Sequence, residues 1–287
     1  MCGSIWTCRF LIITILCLGL VTCLGANFTK INGYSNKISS DNSIAFLVIG
    51  DWGRDGFFNQ SLVANQMGYV GKKLGIDFVI STGDNFYDNG LKGVDDPLFL
   101  TSFTNIYTAK SLQKPWYTVL GNHDYLGSTE AQLSRALVRL DQRWYCKRNF
   151  IVQTGLVDIV FIDTTPFVDK YFENPKKKNF DWKGIMPRDT YISHVLQNLD
   201  LALKKSRAAW KIVVGHHAIR SIGYHGDTQE LVDQVLPILE ANNVDMYING
   251  HNHNLEHLSN KERTQGATLY ERRRLKGMEK YNSPATS

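Results

Sequence analysis

Five short apolar runs in this chain end in the same way, in a polar turn that carries aspartate, asparagine or histidine. IAFLVIG (44–50) leads into Asp51 and DFVIST (77–82) into Gly83-Asp84. PWYTVLG (115–121) leads into Asn122-His123, WKIVVG (210–215) into His216, and VDMYING (244–250) into His251. Each run has the length of a strand. A further pair, FIVQTG and VDIVFID, fills 150–163 without a polar cluster. Helical spacing appears between the runs, over 61–75, 130–140, 192–205 and 228–242. In the first of these, Leu62, Gln66, Tyr69, Val70 and Leu74 share one face. Strands alternating with helices predict an α/β fold whose sheets are covered by helices. In such folds functional groups gather beyond the carboxyl ends of the strands. Any one of these polar residues could be a turn residue or a helix cap. Five clusters at five strand exits exceed what capping explains.

Composition narrows the class. The 287 residues can bury one large core or two small ones, and 43% hydrophobic with 11% aromatic content is globular rather than disordered. No repeat of solenoid or propeller period occurs. Arg9 precedes FLIITILCLGLVTCLG, an apolar run too short for a comfortable membrane span and ending in small residues. Residues 1–25 are therefore expected to be a signal peptide, cut near Gly25 or Ala26. The mature protein is then soluble, without membrane association, and either secreted (extracellular or apoplast) or vacuolar/lysosomal. Cys2, Cys8, Cys17 and Cys23 leave with that segment. Cys146 remains, a buried small hydrophobe rather than a catalytic thiol, with no partner for a disulfide. The sequons Asn27-Phe28-Thr29 and Asn59-Gln60-Ser61 fit a secreted glycoprotein. The net charge of +5 does not belong to the body. Arg9 carries one unit, and residues 261–287, with seven basic side chains against three acidic, carry the other four. No basic body points to a nucleic-acid partner. The lysines of the loop at 174–184 are expected to be a solvated face.

In order, the clusters read GDWG (50–53), GDNFY (83–87), GNHD (121–124), VVGHH (213–217) and GHNH (250–253). This series resembles the metallophosphoesterase superfamily, and in detail the small plant and mammalian purple acid phosphatases, over roughly residues 44–258. Most metallophosphoesterases place a histidine two residues after the first aspartate. This chain has Gly53 there and Tyr87 in GDNFY, as the purple enzymes do. The resemblance implies two mixed β-sheets packed as a sandwich with flanking helices, with metals at one edge.

It also implies a binuclear centre. Asp51, Tyr87 and His253 would hold Fe(III). Asn122, His216 and His251 would hold a divalent Fe, Zn or Mn, with Asp84 bridging. His123 and His225 would serve the departing alkoxide as proton donors or positive neighbours. Two cations neutralise an anionic ester, orient it and acidify water. Bland alternatives stand beside these roles. Tyr87 could be a core tyrosine with a bonded hydroxyl, His123 an orienter of Asp124 or of a ligand, and His225 a loop histidine at a helix start. Alternating strand side chains would aim His251 and His253 the same way and turn His217 away from the metals. His257 would lie outside the ligand set, in the surrounding shell or at the surface.

The expected activity is hydrolysis of small phosphate monoesters by a monomer. The alternatives are a phosphoesterase acting on diesters or phosphoproteins, and a catalytically weak protein that binds metal or phosphate. Two departures matter. The last motif reads GHNH where the family usually has GHDH, so Asn252 faces away from the metals and a supporting carboxylate is lost, which would loosen the histidines. Residues 26–258 would form the catalytic domain. Residues 259–287 replace the family's closing strands with an atypical, poorly packed basic tail, cleaved early at Arg272, Arg273 or Arg274, that leaves a sheet edge open.

Overall fold

The computed structural model describes residues 28–32, 43–173 and 179–259. The expected signal peptide, the sequon asparagine Asn27, the lysines of the 174–184 loop apart from Lys183, and the tail beyond Ser259 lie outside the described residues. In chain order the elements are β1 (Thr29–Asn32), β2 (Phe46–Ile49), α1 (Gln60–Leu74), β3 (Phe78–Ser81), β4 (Trp116–Thr118), α2 (Thr129–Leu133), α3 (Arg135–Leu140) and β5 (Trp144–Cys146). There follow β6 (Phe150–Gln153), β7 (Val157–Phe161), α4 (Lys170–Glu173), α5 (Arg188–Lys205), β8 (Trp210–Val214), α6 (Gln229–Gln234), α7 (Leu236–Ala241) and β9 (Met246–Ile248).

The strands form two sheets, β2-β3-β4-β5 and β1-β6-β7-β8-β9. The first is parallel throughout. Only the second is mixed, through the antiparallel β6–β7 pair. Side chains alternate across each strand, and this divides the apolar residues among three layers. Phe78, Ile80, Val157, Ile159, Phe161, Ile212 and Val214 face into the sandwich. Val79 faces the helices on one outer side. Val160 and Val213 face those on the other. Phe150 and Phe161 stack at 4.2 Å in the middle layer. Burying a side chain of that size contributes roughly 1.5–3 kcal/mol. The two-sheet sandwich with outer helices is the fold expected. The short strands β1 and β5 were not visible in the sequence, because three or four residues are too few to show a period.

Several local expectations are corrected. The face of α1 that carries Leu62, Tyr69 and Leu74 is outside, with those residues 65%, 65% and 56% exposed. Its buried residues are Gln60, Ala64, Met67, Gly68 and Gly71. The helix lies so close to the chain at 109–111 that a Cβ on Gly68 would come within 2.6 Å of Ala109 Cβ. Ser111 Oγ donates to Gly68 O at 2.6 Å. Small residues were selected there by approach distance, which hydrophobic spacing does not register. The helix expected over 130–140 breaks at Ser134, whose side chain caps α3 by accepting from Ala136 N–H. That over 228–242 breaks at Val235, with Pro237 in the first turn of α7. The described part of the 174–184 segment is a loop, as expected, and within it Phe180 and Trp182 stack on one another at 5.4 Å, while Trp182 stacks on Phe172 at 4.0 Å.

Candidate metal centre

The five polar turns meet at one edge of the sandwich, beyond the ends of β2, β3, β4, β8 and β9. Tyr87 Oη lies 2.9 Å from His253 Nε2 and 3.3 Å from Asp51 Oδ1. His253 Nε2 is 3.4 Å from the same Asp51 oxygen. A second group forms around His216, whose Nε2 is 3.3 Å from Asn122 Oδ1 and whose ring centroid is 5.1 Å from that of His251. Asp84 Oδ2 stands between the groups, 3.1 Å from Tyr87 Oη and 3.4 Å from His216 Nε2. All seven side chains singled out as metal ligands are thus brought together at one edge of the sandwich.

Their backbone explains how. Asp51, Asp84, His251 and His253 all have positive φ, of 58°, 48°, 72° and 51°. This left-handed region is uncommon for residues with a Cβ and costs free energy that the surroundings must offset. His251 and His253 therefore do not reach the site by strand alternation, since β9 ends at Ile248 and the segment is a left-handed turn. The Asp51 carboxylate holds that turn by accepting the His251 N–H, at 3.1 and 3.2 Å. Gly53 also has a physical reason: a Cβ there would sit 2.0 Å from Asn85 O. No histidine can occupy the position, and Tyr87, whose N–H donates to Gly53 O at 2.8 Å, enters from the neighbouring loop instead.

Asp124, the last residue of GNHD, was not singled out. It is fully buried and accepts from Asn85 N–H, Asn85 Nδ2, Phe86 N–H, Gly121 N–H and Gln132 Nε2. One carboxylate ties the Asp84 loop to the Asn122 loop. Its sequence signal is weak, because an aspartate after a turn is most often local.

The charges are coupled across the site. Burial works against the Asp84 carboxylate, but His216 and His123 hold its pKa well below the usual range. Burial likewise opposes charge on His216, yet Asp84 raises its pKa to about 9. His216 Nδ1 donates to Thr82 O at 2.9 Å, so Nε2 is the nitrogen aimed inward. Burial, then His216 and His225, push His251 down to about 2, which keeps its ring neutral. Burial and the neighbouring Asp84 push Asp124 up to about 7. The donor set of carboxylates, a phenol, an amide oxygen and imidazoles suits metal binding, which draws the proton off His216.

The remaining histidines separate. His123 donates its N–H to Asp84 Oδ1 at 2.7 Å and packs on the Tyr87 ring at 4.5 Å. His225 is exposed, stacked on His251 at 4.2 Å. Burial, Lys170 and His253 lower its pKa. His217 does not turn away: its ring is buried, 4.4 Å from His251 and 4.9 Å from His216. His257 is exposed. Asn252 packs against the loop that carries His225. It is buried, and its Oδ1 accepts the His225 N–H at 2.9 Å, while its Nδ2 has no partner among the described residues. The amide keeps the acceptor that positions His225. Cys146 is buried and free, and burial pushes its thiol pKa well up, as an inert hydrophobe requires.

Residues 44–255 match the family model described as calcineurin-like phosphoesterase. The chain is 62% identical over 232 residues to purple acid phosphatase 7 of Arabidopsis thaliana, covering 81% of this chain and 71% of that one. It is 64% identical over 220 residues to purple acid phosphatase 3 of the same plant, covering 77% of this chain and 60% of the relative. Among solved structures it resembles GAP50, described as the anchor in the inner membrane complex of Plasmodium. That match has a TM-score of 0.59 and 28% identity, over 76% of this chain and 69% of the other. Among the described residues no helix is long and apolar enough to cross a membrane. With carboxylates, histidines and a phenol gathered at one edge of the sandwich, and this similarity over most of its length, the chain belongs to the calcineurin-like phosphoesterases and, within them, to the purple acid phosphatases, acid phosphatases with a metal centre.

Proposed function

We propose that the chain hydrolyses small phosphate monoesters, with Asp51, Tyr87 and His253 holding Fe(III). Asn122, His216 and His251 hold a divalent Fe, Zn or Mn, and Asp84 is shared. The observation that carries this is the position of Asp84 Oδ2, within 3.4 Å of both Tyr87 Oη and His216 Nε2. When bound, two such cations neutralise the anionic ester and acidify water. The protein's own groups do the rest. Asp84 fixes the spacing of the two sets. Thr82 O sets the His216 tautomer. His123 and His225 stand on opposite sides of the donor cluster, beside Tyr87 and His251 respectively, and give the departing alkoxide its proton. Residues 26–258 form the catalytic domain, and the protein acts as a secreted or vacuolar monomer after loss of residues 1–25. Asn59 is exposed, as a glycosylated sequon requires.

Metal analysis and a visible spectrum of the purified protein, followed by turnover of an aryl phosphate at acid pH, test this together. Two metals per chain, a visible band that Tyr87→Phe abolishes, and acid turnover are expected. A band that survives Tyr87→Phe would remove the phenolate assignment. Preference for a diester or a phosphoprotein, or metal binding without turnover, would overturn the monoesterase reading.

A further inference from the structure

His217 fits no role in the proposed ligand set, yet both its ring nitrogens are engaged. Nδ1 lies 3.0 Å from Thr164 Oγ1, and Nε2 lies 2.9 Å from Tyr171 Oη. Thr164 Oγ1 also accepts two backbone N–H groups, from His216 at 3.1 Å and from His217 at 3.0 Å. A hydroxyl oxygen has two lone pairs and one hydrogen. Both lone pairs are taken, so the Thr164 hydrogen goes to His217 Nδ1. Nδ1 is then an acceptor, the ring proton is on Nε2, and Nε2–H donates to Tyr171 Oη.

The direction of the last bond decides what Tyr171 can do. Its oxygen accepts from His217, so its own O–H hydrogen is not spent there. No acceptor takes that hydrogen among the hydrogen bonds of the described residues, although the side chain is largely shielded from water. Burial, then Asp84 and Glu230, raise its pKa, so the proton stays on. The Tyr171 ring lies 5.6 Å from the His217 ring, which lies 4.4 Å from His251. Lys170, the preceding residue, acts electrostatically on His217, His225 and His251. A donor and a cation thus flank the His216–His251 side of the centre, where an anion would be held.

We propose that Tyr171 is a substrate-contacting residue. Its hydroxyl donates to a non-bridging oxygen of the bound phosphoryl group, of ester and of product phosphate alike. Thr164 and His217 are the positioning residues that fix the direction of that donor. This rests on the reading of the site as a phosphate site. The experiment is binding of inorganic phosphate to the metal-loaded full chain by calorimetry, beside steady-state kinetics on an aryl phosphate. A hydrogen bond to a charged group corresponds to roughly a tenfold change or more. Tyr171→Phe should weaken phosphate binding and raise KM by about that factor, with metal content and thermal midpoint near wild type. Thr164→Val should weaken phosphate although Tyr171 is intact, because His217 is freed to take the tyrosine's hydrogen. Thr164→Ser, which keeps the hydroxyl, should restore wild-type binding. Unchanged phosphate affinity in Tyr171→Phe overturns the inference, as does a wild type that does not bind phosphate. Weakened phosphate binding in Tyr171→Phe, with no ester turnover even by the wild type, keeps the inference and removes the hydrolase reading. If Tyr171→Phe fails to load metal, Thr164→Val decides, and unchanged affinity in it overturns the proposal.

Discussion

The two halves of the centre are held in different ways. The half built on β2, β3 and β4 supplies Asp51, Asp84, Tyr87 and Asn122, and its loops are tied together by the five donors that converge on buried Asp124. The half built on β8 and β9 supplies His216, His251, His253 and His225 through loops whose ties are spread over several partners, among them Thr164 Oγ1, Thr82 O and the Asp51 carboxylate. His253 has a side chain 54% exposed, and His225 is positioned by one bond from its N–H to Asn252. Glu256 braces the same loop from outside, accepting from Ser221 Oγ and Ile222 N–H. One wall of the site hangs on a single buried carboxylate, and the other is held by dispersed contacts.

The sharpest way to break this contrast is at Asp124. Asp124→Ala would strand several buried donors at once, each costing about 1–3 kcal/mol. A loss of about 4 kcal/mol or more is expected in denaturant unfolding of the metal-free protein. A near-neutral result would mean that the first wall is held by something else. Next in size is Asp84→Ala, which should empty both metal positions because one carboxylate serves both sets. Asn122→Ala should mainly weaken the divalent position. Equal metal content in the two variants would end the shared role of Asp84.

The Asp84–His216 pair is one of the contacts that join the halves, beside those of His251 and His253 with Asp51. His216 has its pKa raised from 6.5 to about 9, with burial opposing the shift and Asp84 driving it. The folded state therefore holds that proton more tightly than the unfolded one. The pair's contribution is fully present below about pH 6.5 and is lost as pH rises through about 9. Metal-free protein should thus unfold more easily at pH 9.5 than at pH 6, and metal uptake at pH 7 should release a proton. Calorimetry in buffers of different ionisation enthalpy reads that proton directly. No release would place a neutral His216 in the metal-free site.

Smaller effects are expected at the histidines that flank the centre and at Asn252. His123→Ala and His225→Ala should each lower acid turnover by roughly 10²-fold with metal content unchanged. Full acid rates in both would return them to structural roles. Asn252→Ala should be the mildest, since it removes one hydrogen bond and one unpartnered amide together. A stability change within about 1 kcal/mol is expected, with a turnover loss smaller than that of His225→Ala. A turnover loss matching His225→Ala would show that the loop has no other support.

Much of this was legible in the sequence, for a physical reason. Apolar runs of strand length must be buried, and polar side chains at their ends can only face the sheet's edge. The alternation of strands and helices therefore pointed to the fold, and the resemblance carried by the GDWG-to-GHNH order and by Gly53 with Tyr87 named the seven candidate ligands that the structure brings to one edge. Only the tertiary structure decided the matters that depend on distance between segments remote in the chain. The buried face of α1 was set by how closely Gly68 lets it approach Ala109. The aim of His251 and His253 was set by left-handed turns that Asp51 stabilises from 200 residues away. The roles of Asp124, Asn252, His217 and Tyr171 depend on which atom donates and which accepts, and hydrogen-bond direction exists only once the partners stand side by side.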